Sequence, residues 1–329
     1  MIEYILFFLG IVLLIKGADY LVRGSSSLAK KLGIPTLIIG LTIVALGTST
    51  PELVVNILAA LKGSTEVAFG NIIGSNIANI LLVLGIVAII YPIKVKSSTI
   101  WKEIPFALLG VVVLFVASNY FLIDKITINS LTRVSGIIFL CFFLIFIYYA
   151  FGLAKRHKVQ LDQGKKEVIK HQDIDIKKHK NITIFLMVLG GLIGLYFGGK
   201  WVVEGAIFMA QQLGLSEFLI SVTIIAIGTS LPELVTGITA AKKKDTELAV
   251  GNSVGSNIFN IFWILGITAI IAPIAIPNFI NLDIAFLGIA TLLLFLSLFI
   301  GKKHELERWQ GYVFVMLYIA YIAFIVIRG

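Results

Sequence analysis

Two glutamates stand where a chain of this kind should have none. Glu52 lies in GTSTPELV, Gly47 to Val54, and Glu233 in GTSLPELV, Gly228 to Val235, each set in a long apolar run. Burying a carboxylate near mid-membrane costs on the order of 2.5–3.5 kcal/mol on insertion scales unless it is protonated or paired. Neither octapeptide holds a lysine or arginine, so the natural counter-charge is a bound cation. The neighbouring donors are hard oxygens, which suit calcium, sodium or magnesium. Zinc or copper would want histidine or cysteine, and all four histidines fall in loops while the lone cysteine is Cys141. Two carboxylates neutralise one divalent ion, or share their site with monovalent ions and leave a different net charge. That is a physical basis for exchanging one cation class for the other. Sharing a dry site also makes them titrate as a coupled pair, so protons are expected to compete.

The surrounding residues add ligands. Pro51 has no N–H to give and its ring clashes with the carbonyl of Gly47, so the helix is expected to break there. The carbonyls of Ala45 and Leu46 are then expected to lose their usual donors. Thr48, Ser49 and Glu52 supply side-chain oxygens, with Thr48 and Glu52 four apart on one face. Ala226, Thr229, Ser230 and Glu233 repeat the arrangement. The next apolar run of each half opens with GNIIGSNIAN from Gly70 and GNSVGSNIFN from Gly251. Asn71, Ser75 and Asn79 form one polar stripe, repeated by Ser256 and Asn260, and Gly74 is expected to let a neighbouring backbone approach. Small polar residues in membrane helices are mostly packing contacts; it is the carboxylates that turn these into ligands.

Elements that cross a bilayer must position these motifs. Of 329 residues, 58% are hydrophobic and 14% charged, with a mean hydropathy of +1.01, outside the range of water-soluble chains. Ten apolar blocks of about bilayer-spanning length run over residues 3–22, 36–60, 68–91, 104–120, 127–152, 182–203, 217–240, 250–272, 283–300 and 310–327. The N-terminus lacks a basic region and a cleavage site, so it reads as the first span and not a removed leader. Cys141 is assigned to core packing.

Residues 47–86 align with 228–267 without a gap, at an offset of 181, with 25 identities in 40 positions. Five spans per copy is odd, so the second copy enters from the opposite side. The expected fold is therefore all-α and integral to the membrane. Ten helices form two inverted five-helix repeats, 1–153 and 182–329, with helices 2 and 7 broken and a cytoplasmic linker at 154–181. In such layouts substrate sites lie at the repeat interface near the midplane. Lysines and arginines cluster in alternate loops, which puts both termini outside. The net charge of +9 thus reports topology and contact with lipid headgroups, and needs no nucleic-acid partner. Lys16 with Asp19, and Lys200 with Glu204, are expected to pair or snorkel, and Trp101, Trp201 and Trp309 to anchor spans at interfaces.

The pair GTSxPEL and GNxxGSNIxN, present twice in inverted halves, resembles the sodium/calcium exchanger family of the cation/calcium antiporters, in its short prokaryotic form. The resemblance covers both core repeats and implies a plasma-membrane antiporter, functional as a monomer, without cofactor, whose cargoes are calcium and sodium. It implies a calcium site made by Glu52 and Glu233 with the hydroxyl or carbonyl of Thr48 and Thr229. It implies one sodium site at Ser49, Ser256 and the Ala45 carbonyl, and another at Ser230, Ser75 and the Ala226 carbonyl. Asn79 and Asn260 would line the middle. Asn260 stands where some relatives, including potassium-dependent ones, carry aspartate, so potassium is not expected as a co-substrate. The rival readings are a calcium/proton exchanger, a cation channel, and an intramembrane enzyme; the last lacks a metal-binding aspartate cluster, a nucleophile–histidine pair and a phosphate-cradling loop.

Overall fold

The structure is a computed structural model and describes residues 2–119, 130–162, 180–212, 226–277 and 280–328. The helices are α1 (Ile2–Leu32), α2 (Thr36–Thr48), α3 (Thr50–Leu61), α4 (Val67–Ile90), α5 (Thr99–Ser118) and α6 (Arg133–Asp162). They continue as α7 (Asn181–Gln212), α8 (Ala226–Thr229), α9 (Leu231–Lys242), α10 (Thr246–Ile271), α11 (Ile280–Ser297) and α12 (Arg308–Arg328). Among the described residues eight helices are long and apolar enough to cross a membrane, or nine if α2 and α3, bent by 44° at their break, are counted as one span. The run expected at 217–240 is described only from Ala226 onward, as α8 and α9.

Burial sorts the helices by role. In α4 and α10, 78% of the apolar window is buried, whereas in α1 and α7 only 33% is. The two asparagine- and serine-bearing motifs therefore sit on the two most buried candidate spans, and the glutamates on the first turns of α3 and α9 beside them. Gly40 of α2 packs on α10, where a Cβ on Gly251 would lie 2.5 Å from the Leu37 carbonyl. A Cβ on Gly255 would lie 2.8 Å from Leu41 Cα, so glycine is required for this approach. No described atom lies within 4 Å of the corresponding point on Gly74; of the segment matching α2, residues 217–229, only 226–229 are described.

α1 and α7 lie against each other along a glycine seam. A Cβ on Gly17 would come within 2.8 Å of the Leu195 nitrogen, and one on Gly191 within 2.7 Å of the Leu21 nitrogen. The two outer helices thus meet backbone to backbone. A groove of about 490 Å³, lined among others by Leu28, Lys31, Ile43, Phe185 and Leu192, separates one end of this pair from α2.

Short strands join the halves at two points. β1 (Ile93–Lys94) pairs antiparallel with β4 (Glu305–Leu306), and β2 (Ser130–Leu131) with β3 (Ile274–Ala275). Each pair takes one strand from each side of the 154–181 segment.

Several expectations need correction. α1 runs to Leu32, well beyond residue 22, because its polar end is held from the second half. Ser26 Oγ donates to Asp245 Oδ2 at 2.8 Å and Thr36 Oγ1 to Asp245 Oδ1 at 2.8 Å. Asp19 pairs with Lys243 at 2.5 Å and Arg23 at 3.0 Å, not with Lys16. α6 continues as helix to Asp162, past the expected linker start at 154, and residues 163–179 of that linker are outside the described residues. Cys141 is exposed on α6 and fills no core. Lys200 and Glu204 do pair, at 3.8 Å, and both are exposed. Trp101 and Trp309 are more than half exposed.

Candidate cation site

The helix break is built so that each glutamate opens a new helix. α2 stops at Thr48, Ser49 turns the chain at φ −85°, ψ 8°, and Pro51 occupies the first turn of α3, where its missing N–H costs nothing. Ser230 does the same at φ −86°, ψ 5°, with Pro232 in the first turn of α9. Glu52 and Glu233 fall in those first turns, where the helix dipole favours negative charge. The backbone at the break is not left open as expected. Ser49 N–H donates to the Ala45 carbonyl at 3.0 Å, and the Thr50 hydroxyl to the Leu46 carbonyl at 3.0 Å. Those carbonyls retain their second lone pairs, and the oxygens without hydrogen-bond partners are on side chains. For Ala226 the backbone opening α8 is described and nothing further.

Both glutamates are 1% exposed, and hydroxyls from both halves converge on them. Ser49 and Ser256 donate to Glu233 Oε1 at 3.1 and 3.3 Å. Ser75 donates to Glu52 Oε1 at 3.4 Å and lies 3.4 Å from Thr229 Oγ1. Thr48 donates to Asn252 Oδ1 at 3.0 Å, and Thr229 to Asn71 Oδ1 at 3.1 Å. Exchanging the two sequence copies turns one of these last bonds into the other. Ser49 and Ser256 are thus brought together at Glu233, while Ser230, expected beside Ser75, has no partner among the described residues.

Five buried oxygens of the expected site have no hydrogen-bond partner among the described residues: Glu52 Oε2, Glu233 Oε2, Ser230 Oγ, Asn79 Oδ1 and Asn260 Oδ1. Oxygens this deeply buried and this undersupplied with donors are what a dehydrated hard cation requires. Among the described residues no group of three or more His, Cys, Asp or Glu is arranged to hold a metal ion. The charged oxygens gathered here are two carboxylates, and the oxygens around them belong to hydroxyls, amides and carbonyls.

Four site features lay outside the sequence reading. Asn76 and Asn257 sit between the stripes and bond across the middle. Asn252 receives the Thr48 hydroxyl. Asn56 accepts from Asn71 Nδ2 at 2.6 Å. The helices also loosen to π-type turns at Ala78–Val83 in α4 and Phe259–Ile264 in α10, a rearrangement common at functional sites. The matched GSN triplets at Gly74 and Gly255 were the available signal for the first.

A many-span helical protein that gathers carboxylates, hydroxyls and amides at the buried meeting point of its two halves belongs to the class of membrane ion transporters. The family model described as "Sodium/calcium exchanger protein" matches residues 2–152 and 183–327, and the chain belongs to the sodium/calcium exchanger family. It is 40% identical over 314 residues to a putative antiporter CaxA of Alkalimonas amylolytica, covering 95% of each chain. It is 31% identical over 349 residues to the sodium/calcium exchanger MaX1 of Methanosarcina acetivorans, covering 98% of this chain and 97% of that one. Its fold matches the sodium-calcium exchanger NCX_Mj soaked with 2.5 mM Na+ and 0.1 mM Ca2+, with TM-score 0.79, 30% identity and 98% of both chains covered. It matches NCX_Mj soaked without Na+ and Ca2+ with TM-score 0.78 and 32% identity. The chain is thus a multi-pass membrane protein from a family of cation/calcium antiporters, which are transporters and not enzymes.

Proposed function

We propose that the protein exchanges sodium for calcium across the plasma membrane by alternating access. Ten spans form two inverted repeats, and both termini lie outside. The observation that carries this reading is the set of buried, donor-poor oxygens around Glu52 and Glu233, supplied by both copies of one motif. Calcium binds between the two carboxylates with Thr48 and Thr229. Sodium binds at Ser49, Ser256 and Ala45, and at Ser230, Ser75 and Ala226. Shared carboxylates make the two cargoes compete, and that competition couples the flows. Asn260 keeps the central charge at two carboxylates, so potassium is not carried. The monomer contains the whole site.

Isotopic calcium uptake into proteoliposomes with imposed sodium, potassium or proton gradients tests the reading. A sodium gradient alone is expected to drive uptake, and Glu52→Gln or Glu233→Gln to abolish it while the protein still folds. Uptake driven by protons and indifferent to sodium would make the protein a calcium/proton exchanger, and normal uptake by either glutamine variant would remove the site assignment.

A further inference from the structure

At the centre of the molecule α4 and α10 are joined by four asparagines in a reciprocal network. Asn257 Nδ2 donates to the Asn76 carbonyl at 3.2 Å, and Asn76 Nδ2 to the Asn257 carbonyl at 3.5 Å. A backbone carbonyl only accepts, so these two bonds fix which way both amides face. The Oδ1 atoms of Asn76 and Asn257 must then point to the other side. There they accept from Asn260 Nδ2 at 2.9 Å and from Asn79 Nδ2 at 3.1 Å. With their NH2 groups taken, Asn79 and Asn260 have one orientation left, and their Oδ1 atoms are the buried oxygens without partners. All four residues are at most 3% exposed.

We infer that Asn76 and Asn257 are positioning residues for ion exchange: their crossed amides set the orientation of Asn79 and Asn260, so that each presents an oxygen, and never an NH2, to the cation. An amide is ambivalent at a cation site, since one face carries a ligand and the other a partial positive charge. The network removes that ambivalence by relaying the polarity of two backbone carbonyls through Asn76 and Asn257. It does so without adding charge, which keeps the centre at two carboxylates.

The inference rests on the site reading above, and its test separates the two. Calcium affinity is measured as half-saturation of uptake in proteoliposomes and as calcium-induced thermal stabilisation of the purified protein. Asn76→Ala releases Asn260 Nδ2 to turn toward the cation and is expected to weaken calcium about 10- to 100-fold, as loss of an outer-shell partner does. In an Asn260→Asp background both terminal atoms are oxygens, so orientation no longer matters. There Asn76→Ala removes only an oxygen that faces an oxygen and is expected not to weaken calcium by more than about twofold. Asn257→Ala, alone and with Asn79→Asp, is the reciprocal arm, and it stands in if the first variant does not fold.

A purely structural role lowers stability in both backgrounds without separating them by affinity. Equal affinity losses in the asparagine and aspartate backgrounds, or no loss in either, would overturn the inference. So would loss of calcium binding by both aspartate variants, since each keeps oxygen where the inference puts it. Glu52→Gln runs in parallel: its retention of uptake would sink the site itself, whereas an inert Asn76→Ala beside a dead Glu52→Gln sinks only the orienting role.

Discussion

At the scale of single residues, the two copies of the octapeptide differ in what their serines do. Ser49 already donates to a carboxylate, while Ser230 Oγ is buried and without partner among the described residues. Removing the first breaks a hydrogen bond to a buried carboxyl group, worth about 0.5–1.5 kcal/mol. Ser49→Ala is therefore expected to lower thermal stability in the absence of ions as well as ion affinity. Ser230→Ala removes an oxygen that has no partner among the described residues, so its stability should stay near that of the parent while sodium affinity falls. Thermal melts with and without sodium distinguish the two. The glutamates were legible from sequence because an unpaired carboxylate in an apolar run demands a partner. Asn76 and Asn257 were not, because an asparagine's role depends on which backbone carbonyl it meets across 181 residues.

Among the elements, the α1–α7 pair makes the sharpest prediction. Gly190 and Gly191 are chain neighbours, yet a Cβ on Gly190 meets nothing within 4 Å and one on Gly191 strikes the Leu21 nitrogen at 2.7 Å. Backbone cannot yield as a side-chain end does. Gly191→Ala should force the helices apart, destabilise by about 1–3 kcal/mol and impair transport. Gly190→Ala should be neutral or stabilising by up to about 1 kcal/mol. Chemical or thermal denaturation in a fixed detergent decides between them. Most span positions could be read from apolar length, and helix ends least well. The end of α1, RGSSSLAKKL, looks like a loop in isolation and is helix because Asp245 awaits its serine. Burial pushes the Asp245 carboxyl up from its usual range, against the bonds from Thr36, Ser26 and the Leu248 N–H. A raised carboxyl means that the folded state holds its proton to higher pH than the unfolded one. Acidifying from neutral toward that raised value should therefore stabilise this end of α1, by an amount that Asp245→Asn removes. Melts of parent and variant across mildly acid pH check the sign.

Taken whole, the molecule is stitched from two halves that cannot be pulled apart. Strands from one side pair with strands from the other at two places, and Asn119 and Asn281 exchange amide bonds at 2.8 Å each way. Residues 1–153 and 182–329 should thus fold only together: co-expressed as separate chains they are expected to co-purify, and either alone to aggregate. The repeat was evident from its identities, but the stitching was not, because residues that pair across halves share no local pattern.

The unequal burial of the helices has a mechanical consequence. α4 and α10 carry the carboxylates' neighbours and are clamped by amides, whereas only a third of the apolar window of α1 and of α7 is buried in the protein. If, in the exchange proposed above, that outer pair is what moves, its bearing surface is the acyl chains of the bilayer, and they supply its friction. Turnover should then slow in ordered, viscous membranes and quicken in fluid ones, at unchanged ion affinity.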